Sequence, residues 1–328
     1  MFAALNSFQV GGKPTLVSEV FSTSLYTGNG STQTITNGVD LSNRDGLVWI
    51  KSRTNSAGTG RHSFWDTARG RDKSLIITNA AQDTGIGAGA GVTSFNTNGF
   101  SLGTAYFETN VSSDSVVSWT FREQAKFFDV VTYTGNGSSN QVISHTLGSV
   151  PGFIIVKATS TTGDWSVWHR STTFQQGYLN TTAAFTSAVM NFPTTAGTST
   201  TFTVNGPATG GVTNDTSVTY VAYLFAHDAG GFGASGNDNV ISCGSTNGSK
   251  VTLGYEPQWI LYKSSNFSEF WQVVDNQRGM PAASPAQLLK PNTSDAETTT
   301  TNNITIESDG FTLGAVTGTV IYIAIKAS

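Results

Sequence analysis

Asp66 and Arg69 stand three residues apart beside a tryptophan, in Trp65-Asp66-Thr67-Ala68-Arg69-Gly70. Asp275 and Arg278 repeat that spacing in Trp271-Gln272-Val273-Val274-Asp275-Asn276-Gln277-Arg278-Gly279. A carboxylate beside a guanidinium could take a proton while the arginine holds an anionic substrate. The same spacing also makes a local ion pair that pins a turn. The turn is the better reading. A corresponding block in mid-chain keeps Trp165 and Trp168 but reads His169-Arg170 where the others have the acid, and a fold feature can drift in one copy.

Other chemistry finds less support. Glycoside hydrolysis needs two carboxyl groups about 5–9.5 Å apart, and no second motif-like acid accompanies Asp66 or Asp275. His62, His145, His169 and His227 lack metal-ligand spacing. No Gly-x-Ser-x-Gly elbow is present. Asp228 with Asn237-Asp238-Asn239 offers oxygen ligands of the kind calcium takes, but such clusters are usually plain turns. Cys243 is the single cysteine and reads as a small apolar residue at a strand end. The expectation is a protein that is not an enzyme, with no catalytic residue, cofactor or metal.

The tryptophans divide in two. Trp49 and Trp259 lie in apolar runs and read as core. Trp65, Trp165, Trp168 and Trp271 lie at the edges of polar loops. An indole face there could stack on a sugar ring, so these four are the candidate ligand-binding residues. Packing in the core or at its rim is the favoured alternative.

The elements that position these residues repeat. Gly46-Leu47-Val48-Trp49-Ile50-Lys51-Ser52 returns as Gly152-Phe153-Ile154-Ile155-Val156-Lys157-Ala158 and as Gln258-Trp259-Ile260-Leu261-Tyr262-Lys263-Ser264. The lysines, at 51, 157 and 263, keep one step of 106 residues. Consecutive apolar positions predict a central strand covered on both faces, with the lysine marking its emergence into solvent. Upstream lies Tyr26-Thr27-Gly28-Asn29-Gly30-Ser31, repeated as Tyr133-Thr134-Gly135-Asn136-Gly137-Ser138 and, degraded, at Gly244-Ser245-Thr246-Asn247-Gly248-Ser249. Asn-Gly predicts a type I′ hairpin turn. Downstream come Asn98-Gly99-Phe100-Ser101-Leu102-Gly103 and Asp309-Gly310-Phe311-Thr312-Leu313-Gly314. Thr201-Phe202-Thr203-Val204 fills that place in the second copy. Each copy closes on an alternating strand: Val116 to Phe121, Tyr220 to Phe225, and Ile321 to Ile325.

The predicted fold is all-β: three tandem β-sandwich or jelly-roll-like modules of about 100 residues. The boundaries are an N-terminal arm at 1–20, then modules at 21–125, 126–236 and 237–328. The modules are expected to behave as beads with limited contact. A glycine-rich stretch, His227 to Asn239, is expected to join the last two flexibly. Helix is expected only as single turns, near Pro285 to Leu289.

Composition narrows the function classes. Charged residues make up 12% of the 328, about half the usual share of roughly 25%. Disorder is excluded by 38% hydrophobic and 11% aromatic content. The net charge of −4 leaves no basic face, so nucleic acid is not an expected partner. No run approaches the roughly 20 apolar residues of a membrane span. Met1 to Lys13 does not read as a secretory signal, which predicts synthesis in a cytoplasm.

Taken together, Tyr-x-Gly-Asn-Gly-Ser, Leu-Gly-x-x-Pro-x-x-Ile-x-x-Lys, Trp-x-x-x-Asp-x-x-Arg-Gly, Gly-Phe-x-Leu-Gly and the closing Tyr-Ile-Ala-Ile-Lys resemble a repeat in virion proteins of tailed bacteriophages, often marine ones. Tyr223-Leu224-Phe225-Ala226-His227-Asp228-Ala229-Gly230-Gly231-Phe232-Gly233 carries the most specific part of the likeness, which covers roughly 20–328. The resemblance implies a surface-displayed virion component of the tail or tail-fibre type, assembled in the bacterial cytoplasm. Its expected partners are other virion proteins, copies of itself among them, and host-surface glycan. A capsid decoration protein is the alternative, and a glycan-degrading tailspike fits less well. The resemblance carries over no catalytic residue.

Overall fold

A computed structural model gives the fold. It describes residues 15–328 apart from 57, 59, 85, 88, 107–108, 173–174, 188–190, 194–196, 208–211, 281–286, 300–303 and 315. The fold is all-β, with strands β1 to β24 in chain order and antiparallel ladders throughout. Three large sheets dominate. The first has the order β1(Phe21–Thr27)-β8(Ser115–Arg122)-β3(Gly46–Ser52)-β4(Ser63–Asp66)-β5(Leu75–Ile76). The second runs β9(Phe128–Thr134)-β15(Thr219–Phe225)-β11(Phe153–Ala158)-β12(Ser166–His169)-β13(Gln176–Tyr178). The third runs β16(Ile241–Thr246)-β24(Val320–Lys326)-β18(Pro257–Ser264)-β19(Gln272–Asp275). The repeated strands β3, β11 and β18 lie inside their sheets, as their apolar runs predict.

Small sheets cover one face of each. They are β2(Gln33–Ile35)-β7(Gly99–Leu102)-β6(Val92–Asn96), β10(Gln141–Ser144)-β14(Thr201–Val204) and β17(Lys250–Thr252)-β23(Gly310–Leu313)-β22(Ile304–Glu307). A further ribbon pairs β20(Gln287–Leu288) with β21(Thr298–Thr299). Phe100, Phe202 and Phe311 pair with Ile35, Ile143 and Val251, so Thr201 to Val204 does occupy the place of the lost Gly-Phe pair. In the first sandwich-like layer, Val48, Ile50 and Trp65 pack with Ile35, Phe100 and Leu102. Side chains alternate along a strand, so Leu47 and Trp49 point the other way.

That other face corrects the picture of beads. The inward faces of all three large sheets share one core. Phe121 of β8 lies 5.6 Å from Phe225 of β15 and 5.7 Å from Trp259 of β18, ring centre to ring centre. Phe128 lies 5.1 Å from Phe225, and Phe21 lies 6.1 Å from Trp259. Tilted and edge-on aromatic pairs of this kind add to area burial. The glycine-rich joint is also packed rather than loose. Phe232 is buried against Phe127 at 6.0 Å, and backbone bonds Gly231 N to Gly236 O and Asp238 N to Phe232 O close the loop around it.

Several local expectations change. Gly28-Asn29-Gly30 is not a hairpin turn, because β1 and β2 belong to different sheets. Only Gly30 of the pair has positive φ, at 69°, whereas a type I′ turn needs two. The segment is a corner held by Asn110, whose Oδ1 accepts from Asn29 N and whose Nδ2 donates to Ser31 O. Asn214 holds Asn136 and Ser138 in the same way. A Cβ on Gly28 or Gly135 would fall 2.0 or 2.2 Å from a backbone oxygen of that loop, which explains the glycine. Of the N-terminal arm, residues 1–14 lie outside the described residues. Leu16 leads a single 3₁₀ turn, Val17–Glu19, that buries Val17 and Val20 against the shared core. The helical turn expected at 285–289 is strand from Gln287, with 285 and 286 outside the described residues; a further 3₁₀ turn is Asn276–Arg278.

Candidate functional site

The Asp–Arg pairs sit where the sheets meet. Asp66 ends β4 and Asp275 ends β19. Arg69 donates its backbone N–H to Asp66 Oδ1 at 2.9 Å and its Nε to Oδ2 at 2.6 Å. Arg278 does the same to Asp275 at 3.0 and 2.7 Å. Nη2 of each binds the strand it leaves, Arg69 to Phe64 O and Arg278 to Val273 O, while Nη1 donates to Gln82 Oε1 and to Glu297 Oε2. Both acids are fully buried, and both arginines nearly so. A buried charge survives only when paired and hydrogen-bonded, and here each pair closes a tight turn. Burial works against the Arg69 charge, but Asp66 and Tyr223 outweigh it and its pKa is raised. These are the turn ion pairs expected at Asp66, Arg69, Asp275 and Arg278.

Each acid has one acceptor lobe left, and it reaches into the next sheet. Tyr223 of β15 donates its hydroxyl to Asp66 Oδ2 at 2.7 Å. Trp119 of β8 donates its indole N–H to Asp275 Oδ2 at 2.9 Å, and the Arg278 guanidinium lies over the Trp119 ring at 5.3 Å. So the first sheet grips the second, and the third grips the first.

The second sheet completes the ring through His169. Registers place the residues in parallel: Leu47 opposes Asp66 and Phe121, Phe153 opposes His169 and Phe225, and Trp259 opposes Asp275 and Ile325. Counting back two on the closing strands gives Trp119, Tyr223 and Ile323. Isoleucine has no donor for a carboxylate. At that joint a histidine bonds backbone instead: His169 Nε2 donates to Tyr322 O at 3.1 Å, while Nδ1 accepts from Ser171 N at 3.1 Å. Burial pushes the His169 pKa down to about 3, so the ring is neutral and both nitrogens are satisfied. The missing acid of the second copy is therefore a matched change across an interface.

The tryptophans proposed for sugar stacking are buried: Trp65 and Trp165 at 0%, Trp271 at 1% and Trp168 at 9% exposure. The physical reason is the shared core and its joints. Trp165 donates its indole N–H to Thr78 O of the first copy, and Trp271 donates to Tyr178 O of the second, each at 2.8 Å. Trp65 packs under the small first sheet and Trp168 in the common core. No ring of these four is free to stack on a ligand.

The repeated lysines are corrected in the same sense. Lys51, Lys157 and Lys263 are fully buried, because the inner face on which they lie meets a neighbouring sheet. Lys263 Nζ donates to Thr182 O at 2.8 Å and to Glu269 O, and Lys51 Nζ to Ser52 O. Lys157 Nζ has no hydrogen-bond partner among the described residues. Burial pushes the pKa of both Lys157 and Lys263 down to about 8.

Asp228 and Asp238, weighed as calcium ligands, turn to different partners. Asp228 accepts from Ser242, and Asp238 pairs with Lys326 at 3.1 Å. Among the described residues no cluster of three or more His, Cys, Asp or Glu side chains could hold a metal, and no helix is long and apolar enough to cross a membrane.

This all-β chain belongs to a family described as a domain of unknown function (DUF7483), whose model matches residues 16–324. No curated protein and no solved structure matches the chain.

Proposed function

We propose that this protein is a non-catalytic structural component of a bacteriophage virion, displayed on the particle surface as part of a tail appendage. The observation that supports this reading is the use made of Asp66, His169 and Asp275. The residues best suited to acid–base work are fully buried and committed to joining one sheet to the next. A general base must reach a substrate proton, and these three face protein on every side. What such residues supply here is rigidity, which suits a part built to be assembled.

A second reading is a capsid decoration protein. The observation that favours it is that the three sheets close on one core, a compact unit and not an extended string of modules. On either reading the partners are other virion proteins, further copies of this chain included. Antibody-gold labelling of intact particles separates them: label at the tail supports the first reading, label spread over the head supports the second, and absence from purified particles rejects both.

A further inference from the structure

Beside the joint between the first and second sheets lies an open pocket of about 430 Å³, within the range of about 300–1,000 Å³ usual for small-molecule sites. Its walls include Arg61, Ser74, Ile76, Gln82, Asp83 and Tyr106. The turn that carries Gln82 is held by the neighbouring sheet: Gln82 N donates to Thr159 O at 3.0 Å, and Asn79 O accepts from Gly163 N at 2.7 Å. Tyr106 is set by its hydroxyl bond to Asp83 and by its edge contact with Trp65 at 5.8 Å. The pocket is thus preorganised, which lowers the cost of binding.

One charged group there has unspent capacity. Arg61 is exposed and forms no ion pair with another described residue. A guanidinium suits a carboxylate through paired hydrogen bonds. Apolar Ile76 and an aromatic ring suit the carbon face of a sugar, while Gln82 and Asp83 suit its hydroxyls.

We infer that this pocket binds a carboxylated monosaccharide of the uronic-acid class. The inference deepens the reading of a surface-displayed protein, and its test on the isolated protein does not depend on where a particle carries it. Glucuronate titrated into the full chain, followed by calorimetry and by NMR, is expected to saturate at one site. Glucose should bind about tenfold more weakly or worse, as should glucuronate to Arg61→Gln. Ala80→Trp, at an exposed position on the pocket wall, should block binding with the circular dichroism unchanged. Failure of glucuronate to saturate, glucose binding as tightly as glucuronate, or unchanged binding in both variants would overturn the inference.

Discussion

Two of the three joints between sheets are built on an acid, and one on a histidine. At the acid joints a carboxylate already bound by arginine accepts one more bond, from Tyr223 or from Trp119. At the third the opposing residue is Ile323, and His169 turns to the Tyr322 carbonyl. The difference teaches that the identity of the acid is set by the facing sheet and not by its own turn. Where the neighbour offers a donor, a charge is kept; where it offers none, a neutral group that can donate takes its place. Arginine follows the acid. Position 172, three after His169, is a threonine whose hydroxyl bonds His169 O at 2.9 Å.

The largest effect expected comes from breaking an acid joint. Asp275→Ala leaves Arg278 buried without its main partner and should cost about 3–5 kcal/mol. Urea unfolding followed by tryptophan fluorescence reads it; a loss below about 1 kcal/mol would mean that Glu297, 3.1 Å from Arg278, suffices alone. Moving the acid to the wrong joint should be nearly as harmful. His169→Asp puts a carboxylate opposite Ile323 and costs about 3 kcal/mol; adding Thr172→Arg should recover part of that loss. If the second change worsens the first, the matching of acid to arginine is not the rule proposed.

Removing only the cross-sheet donor is milder. Tyr223→Phe should cost about 1.5–3 kcal/mol, the usual worth of a hydrogen bond to a charged group, while Tyr133→Phe, at a tyrosine whose hydroxyl donates to the neutral Thr213 carbonyl, should cost about 1 kcal/mol. Equal losses would dissolve the distinction between joint and rim. The histidine joint also has a pH signature. Burial lowers the folded-state pKa of His169 to about 3 from an ordinary 6.5, and of His62 well below 6.5. The unfolded chain therefore binds more protons between those values, so stability is complete above about pH 6.5 and falls as pH drops toward 3. His169→Gln should flatten part of that slope. The smallest effect separates the lysines: Lys263→Met takes the lysine donor from Glu269 O and leaves Thr182 O only the Glu269 N–H, and should cost about 1–2 kcal/mol, whereas Lys157→Met should change stability by less than about 1 kcal/mol or raise it.

Much of the fold was legible because its repeats carry period and alternation. Leu47 to Ile50 announces a strand covered on both faces, and it is one. The Asp-x-x-Arg-Gly turn was legible because its two partners are three residues apart. Its cross-sheet partners were not, since Asp66 and Tyr223 lie 157 residues apart and nothing local links them. A signal was nonetheless present. Aligning the copies shows Trp119, Tyr223 and Ile323 changing in step with Asp275, Asp66 and His169. Lys51 and the loop-edge tryptophans were misplaced for one reason: lysine at a strand end and indole at a polar loop read as surface only when each module is taken to stand alone. The pocket beside Arg61 was illegible because the turn at Gln82 is shaped by a neighbouring sheet.

The central claim is that the three sheets are one cooperative body closed by a ring of joints. Differential scanning calorimetry of the full chain tests it most directly. A shared core predicts one transition whose calorimetric enthalpy equals its van't Hoff enthalpy. Two or three resolved transitions, or a calorimetric enthalpy two to three times the van't Hoff value, would show modules that melt independently and would contradict it.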